Sequence, residues 1–180
     1  MDTDIIPPNT FLKTTMKTLL ILRHAKSSWK DTSLADYDRP LNKRGKRDAP
    51  RMGKHIQEQG LVPDCILSSS AKRARKTAKK VAKACGYTEK IKKTESFYHA
   101  PPGIYYEKIQ DLPNKYESVM VVGHNPTMEQ LVANLTGQSV TMPTTALAHI
   151  VLPIEHWKKL DIYTKGNLLN LWTPKTLFTE

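Results

Sequence analysis

"LLILRHAKSSW" (residues 19–29) decides how the chain is read. Four apolar residues run straight into an arginine and a histidine, and small polar residues follow. A short, unbroken apolar run suits a strand covered on both faces, as in parallel sheets. Side chains alternate along a strand, so Arg23 and His24 share one pocket only if the chain bends where the strand ends. Taken alone, the pair reads as a surface arginine and a structural histidine.

The pattern repeats along the chain. Apolar runs bounded by turn signals predict strands near 17–23, 64–68, 118–123, 146–152 and 167–173. Helical spacing joins Ala49, Met52, Gly53 and Ile56 within 43–59. A second stripe of Ala71, Ala74, Ala78, Val81 and Cys85 starts behind Ser70 and stops at Gly86. Further helices are expected over 103–112 and 126–135, the latter with Asn125 as cap and Pro126 at its first position. Alternating strands and helices predict an α/β fold: a three-layer α/β/α domain with a mostly parallel central sheet. The last two strands lack a helix between them, so one edge is expected to be antiparallel.

Composition narrows the class. The chain has 180 residues, 39% hydrophobic and 25% charged, and suits one domain over 16–180. Residues 1–15 carry Pro7 and Pro8 and no apolar core, so they are not a secretory signal but an expected flexible extension; Met16 resembles a second start. No apolar run is long enough for a membrane span. Two cysteines, Cys65 and Cys85, argue against a disulfide framework or a zinc cluster and for a reducing cytoplasm. The net charge of +11 is concentrated in residues 72–93. That lysine run lacks interleaved aromatics, so a solvated helix face is favoured over a nucleic-acid-binding module.

Chemistry gathers where strands end. In open α/β sheets, ligands collect beyond the carboxyl ends of the strands. There lie "RHA" (23–25), "SSSAKRA" (68–74) and "GHNPT" (123–127). Arg73 falls in the first turn of a helix, where a cation is misplaced unless an anion compensates. Gly123 permits close backbone approach ahead of His124. Two arginines and two histidines at one sheet edge make a set of charge-assisted donors suited to phosphate. Neither a metal-ligand motif nor a phosphate-cradling glycine loop is present in the sequence, so no metal and no cofactor is expected, and a histidine nucleophile is what such a pocket permits.

Five segments in order, "RHAKSSW" (23–29), "DYDRPLNKRGKRDA" (36–49), "ILSSSAKRARKTA" (66–78), "FYHA" (97–100) and "VVGHNPT" (121–127), resemble the histidine phosphatase superfamily. Within that phosphoglycerate mutase-like group they look like the short SixA-type phosphohistidine phosphatases. The likeness runs from about Lys17 to Leu177. Ala25 stands where much of the wider superfamily has glycine, as is common in the SixA-type group.

The resemblance implies that His24 is the nucleophile and that Arg23, Arg73 and His124 complete the phosphate pocket. The general acid is open among Asp36, Asp38 and Glu95, with Asp36 first. Arg39, Ser69 and Asn125 are expected to touch substrate. His24 must be neutral to attack, and the neighbouring arginines are expected to lower its pKa, while its second ring nitrogen donates to a backbone carbonyl. The expected partner is a phosphate-bearing substrate, in particular a histidine-phosphorylated protein, and a monomer is favoured. A hydrolase of small phosphomonoesters or pyrophosphates with the same pocket is the alternative. Trp29 is expected in the core, and His55, His149 and His156 outside the site.

Overall fold

β1 (Lys17–Arg23) is the central strand, and its alternation builds both halves of the core. Leu19 and Ile21 face one side, with Val119, Val121, Met128, Leu131 and Tyr105. Leu20 and Leu22 face the other, with Ile66, Met120, Ala49, Met52 and Ala78. Burial on both faces is why this strand has no polar alternation. The computed structural model describes residues 16–178, so the expected 1–15 extension lies outside the described residues.

The sheet has six strands in the order β3-β2-β4-β1-β5-β6. β2 (Cys65–Ser69), β3 (Lys92–Thr94) and β4 (Ser118–Gly123) run parallel to β1. β5 (Leu147–Leu152) is antiparallel to β1, and β6 (Asn167–Trp172) is antiparallel to β5, which supplies the expected antiparallel edge. α1 (Lys43–Glu58) and α2 (Lys72–Cys85) bury the apolar residues of one face. α3 (Pro102–Gln110) and α4 (Thr127–Thr136) pack on the other, and α5 (Pro174–Leu177) closes the chain. The result is the expected three-layer α/β/α fold with a mostly parallel central sheet. No helix among the described residues is long and apolar enough to cross a membrane.

Two details position the site. The parallel register sets Arg23 opposite Gly123 and Ser68 opposite Val122, so three strands end almost level and release His24, Ser69 and His124 side by side. The loop after β1 is then pressed onto α1. Asn42 caps that helix by accepting from the Gly45 N–H at 2.9 Å, and a Cβ at Gly45 would collide with the Lys26 carbonyl. Glycine is required there so that the loop behind His24 can lie flat.

Some local expectations differ. α4 begins at Thr127, with Pro126 in the cap position, and Asn125 makes no capping bond. α2 lacks a side-chain cap, because the cap position is held by Ala71, whose methyl group has no acceptor. The basic face of α2 does point to solvent: Arg75, Lys76, Lys79 and Lys83 are exposed.

Candidate active site

The bend at the end of β1 brings the two histidine rings to a centroid distance of 5.1 Å, tilted by 54°. His24 is fixed from below by its own N–H donating to the Gly123 carbonyl at 3.0 Å. Its Nδ1 lies 2.8 Å from the Ala25 carbonyl. A carbonyl only accepts, so Nδ1 carries the proton and Nε2 is the unprotonated nitrogen with the lone pair. Arg73 Nε donates to that Nε2 at 3.3 Å. Thr77 ties the turn to α2: it accepts from the Ala25 N–H at 2.9 Å and donates to the Arg73 carbonyl at 2.7 Å.

His124 Nε2 is 2.8 Å from Ser69 Oγ, which also accepts from the Ala71 N–H at 3.3 Å. The arrangement that strands no hydroxyl proton has Ser69 donating to Nε2, leaving an N–H on His124 Nδ1. That Nδ1 and Arg23 Nε are buried and have no partner among the described residues. Arg23 Nη1 donates to the Met142 carbonyl at 2.8 Å. Buried donors with no acceptor are costly unless a ligand supplies one.

The anion beside Arg73 is an internal one. Asp36 offers its carbonyl to Arg73 Nη1 at 2.6 Å and its Oδ2 to Nη2 at 2.9 Å. The same carboxylate accepts from Arg39 Nη1 at 2.8 Å and from the Tyr98 hydroxyl at 2.7 Å. Arg39, expected as a substrate contact, is 6% exposed and spends Nε and Nη2 on Ser28 O and Ser27 Oγ. It clamps the loop that carries Asp36. Its guanidinium lies 3.1 Å from the centre of the Trp29 ring, and Trp29 is 68% exposed rather than in the core. The cation–π contact lets an arginine hold the indole on the surface. Ser69 is buried and orients His124. Asp38 and Glu95 are exposed, with no side-chain hydrogen bond to these groups.

Comparison with known proteins bears on the family and the fold. The sequence profile of the histidine phosphatase superfamily (branch 1) matches residues 19–99. A Mycobacterium tuberculosis protein described only as uncharacterized is 31% identical over 151 residues, 78% of this chain and 92% of that protein. The chain belongs to the histidine phosphatase superfamily. An uncharacterized chloroplastic protein of Arabidopsis thaliana is 38% identical over 135 residues, and the matched part spans only 62% of the plant protein. A candidate SixA phosphohistidine phosphatase of Agrobacterium tumefaciens superposes with a TM-score of 0.73 at 28% identity, over 88% of this chain and 99% of that one. Kinship with the SixA-type group places this histidine phosphatase among the hydrolases of phosphate bonds.

Burial dominates the electrostatics of this histidine phosphatase. It pushes the His24 pKa down to about 4; the Ala25 carbonyl opposes the shift, and Arg73, Arg23 and Arg39 add to it. The arginines therefore contribute in the expected direction but are not the main cause. His124 is lowered to about 3, by burial first and then by His24, Arg73 and His99. Partial burial pushes the Asp36 carboxyl up, yet hydrogen bonds from Arg39, Tyr98 and Arg73 outweigh it and hold the group well below the usual carboxylate range. Both rings are neutral near pH 7, and Asp36 is ionised.

A stability prediction follows from these shifts. Histidines with depressed folded pKa values leave stability intact above their unfolded pKa of about 6.5. Below it the unfolded chain takes up protons that the folded one refuses. Denaturant unfolding is expected to show stability falling from pH 6.5 to below pH 4 by an amount on the order of a few kcal/mol. A flat or rising profile over that range contradicts the neutral pair.

Tyr98 was not singled out by the sequence. It bridges Asp36, presents its ring edge to His124 at 5.7 Å and takes Arg73 over its face at 5.9 Å. The signal was present in "FYHA", where a tyrosine precedes a residue of positive φ (His99, 54°) that turns the chain at the site.

Proposed function

We propose that this chain is a metal-independent phosphatase in which His24 Nε2 attacks phosphorus, and that its substrate is phosphohistidine on a protein. The observation that carries the proposal is the hydrogen bond from His24 Nδ1 to the Ala25 carbonyl, with Nε2 facing Arg73. Arg23, Arg73 and His124 donate to the oxygens of the transferring group, and the N-terminus of α2 adds partial positive charge.

The two half-reactions need no acid when the leaving atom is an imidazole nitrogen. His24 Nε2 gives its lone pair to phosphorus, and the old P–N pair stays with the substrate ring. Phosphorylated His24 keeps its proton on Nδ1, which donates to the Ala25 carbonyl, so the ring is an imidazolium. Water then attacks phosphorus, the P–N pair returns to Nε2, His24 leaves as neutral imidazole, and both protons of the water leave on dihydrogen phosphate. An alkoxide has no such stored proton and needs a donor. Asp36, the first candidate for that donor, is held ionised by two arginines and a tyrosine. Its role here is that of a counter-anion which phosphate displaces from Arg73.

In EDTA, turnover of a phosphohistidine peptide is expected to exceed that of sugar phosphates in kcat/KM by about 10²-fold or more. Faster sugar phosphate hydrolysis overturns the substrate class, and loss of all activity in EDTA overturns metal independence. Asp36→Asn is expected to lower phosphohistidine turnover by less than about tenfold and to tighten inhibition by inorganic phosphate. A loss of about 10²–10⁴-fold confined to esters would instead make Asp36 the proton donor.

A further inference from the structure

Asn125 follows His124 and holds an unusual position. Its Nδ2 donates to Glu129 Oε1 at 2.8 Å and to the Met142 carbonyl at 3.1 Å. Both partners are acceptors, so the amide cannot be turned over without losing both bonds. Glu129 Oε1 is itself fixed by the Met142 N–H at 2.8 Å. Arg23 Nη1 donates to the same Met142 carbonyl at 2.8 Å, which ties Asn125 to the cup. The amide oxygen is thereby committed to the opposite direction, and Asn125 Oδ1 is buried with no partner among the described residues.

Arg23 Nε and His124 Nδ1, both donors, and the Thr145 hydroxyl, whose residue bonds the Arg23 and His24 carbonyls through its N–H, are also buried without a partner among the described residues. A phosphate dianion is an acceptor at every oxygen and satisfies Arg23 Nε and His124 Nδ1. It offers nothing to Asn125 Oδ1. A ligand with a donor beside its phosphoryl group satisfies that oxygen where a bare phosphate does not. Asn125 and His124 line a cavity of about 280 Å³ together with Phe97, His99, Ala100 and Gln130, a volume sufficient for a five-membered ring, and His124 is the residue this cavity shares with the cup.

We infer that Asn125 Oδ1 accepts the ring N–H of the departing imidazole, making Asn125 the residue that selects a phosphorylated nitrogen heterocycle over a phosphate ester. The inference rests on the phosphohistidine phosphatase proposal and deepens it. In the transfer step, the His24 Nε2–P bond forms as the substrate P–N bond breaks, with the electron pair going to the substrate nitrogen. The far ring nitrogen keeps its proton against Asn125 Oδ1. The substrate begins as an imidazolium and leaves neutral, while His24 becomes the imidazolium. Asn125 thus does for the substrate ring what the Ala25 carbonyl does for His24.

The test compares N-phosphoimidazole with its N′-methyl analogue, which has the same leaving ring without the N–H. Each rate is normalised to transfer onto free imidazole in solution. Wild type is expected to favour the N–H substrate by at least about tenfold in kcat/KM. Asn125→Leu, which keeps the bulk, and Asn125→Ala, which makes room, are both expected to bring the ratio within about twofold of one. A wild-type ratio near one overturns the assignment without any variant. So does a ratio that persists in a folded Asn125→Leu, since size rather than hydrogen bonding then decides. His24→Ala separates the two levels: turnover of both substrates by that variant overturns the phosphatase mechanism itself, whereas its inactivity alongside a ratio near one removes only the role of Asn125.

Discussion

Alanine at position 24 is expected to lower turnover of a phosphohistidine peptide and of an aryl phosphate by at least about 10⁴-fold, with the fold intact. The size follows from what is lost. His24 Nε2 is the attacking atom in the proposed mechanism, and no second uncharged nucleophile shares its position. His124 is 5.1 Å away, but its Nε2 is engaged with Ser69. Structure survives because the backbone of residue 24 is anchored through bonds the side chain does not make: its N–H to Gly123, and its carbonyl to the Thr145 N–H at 3.2 Å. Arg73 loses one acceptor and keeps two on Asp36. Steady-state kinetics with circular dichroism reads both halves of the prediction. Turnover within about 100-fold of wild type contradicts the nucleophile assignment.

Arg73→Ala is expected to cost about 10²–10³-fold in kcat, the effect of removing a donor aimed at developing charge. Arg73→Lys is expected to recover little of it. The three guanidinium nitrogens have separate partners in a fixed plane: Nε with His24 Nε2, Nη1 with Asp36 O and Nη2 with Asp36 Oδ2. A single ammonium cannot reproduce that fork. Inhibition by vanadate or phosphate is expected to weaken in both variants, because in the proposed mechanism Arg73 exchanges Asp36 for ligand. Full activity in Arg73→Lys contradicts a fork-specific role and leaves only a point charge.

Much of this arrangement was legible in the chain. β1, β4 and the apolar stripe of α2 announce themselves because burial on both faces, or on one helical stripe, leaves a periodic trace. The missing helix between the last strands marked the antiparallel edge. The strand ends marked the cup, since topology alone sends them to one side of the sheet. β3 was not legible: Lys92, Lys93 and Thr94 form an edge strand with two exposed lysines and no apolar signal. Side-chain bonding was the other blind spot. Asn125 has the composition of a helix cap, and only three-dimensional partners, Glu129 and Met142, divert it. Trp29 suggests a core residue until Arg39 is found beneath it. That Arg73 rests on Asp36 rather than awaiting an anion alone depends on a contact across 37 residues.

The central claim is that an uncharged His24 Nε2 takes the phosphoryl group. A single-turnover reaction quenched in alkali, where phosphoramidates persist, and mapped by mass spectrometry tests it directly. One acid-labile phosphate on His24, formed and lost at rates that match turnover, is the expected result. Turnover with no phosphorylated His24 at any time, or with the phosphate on another residue, contradicts it.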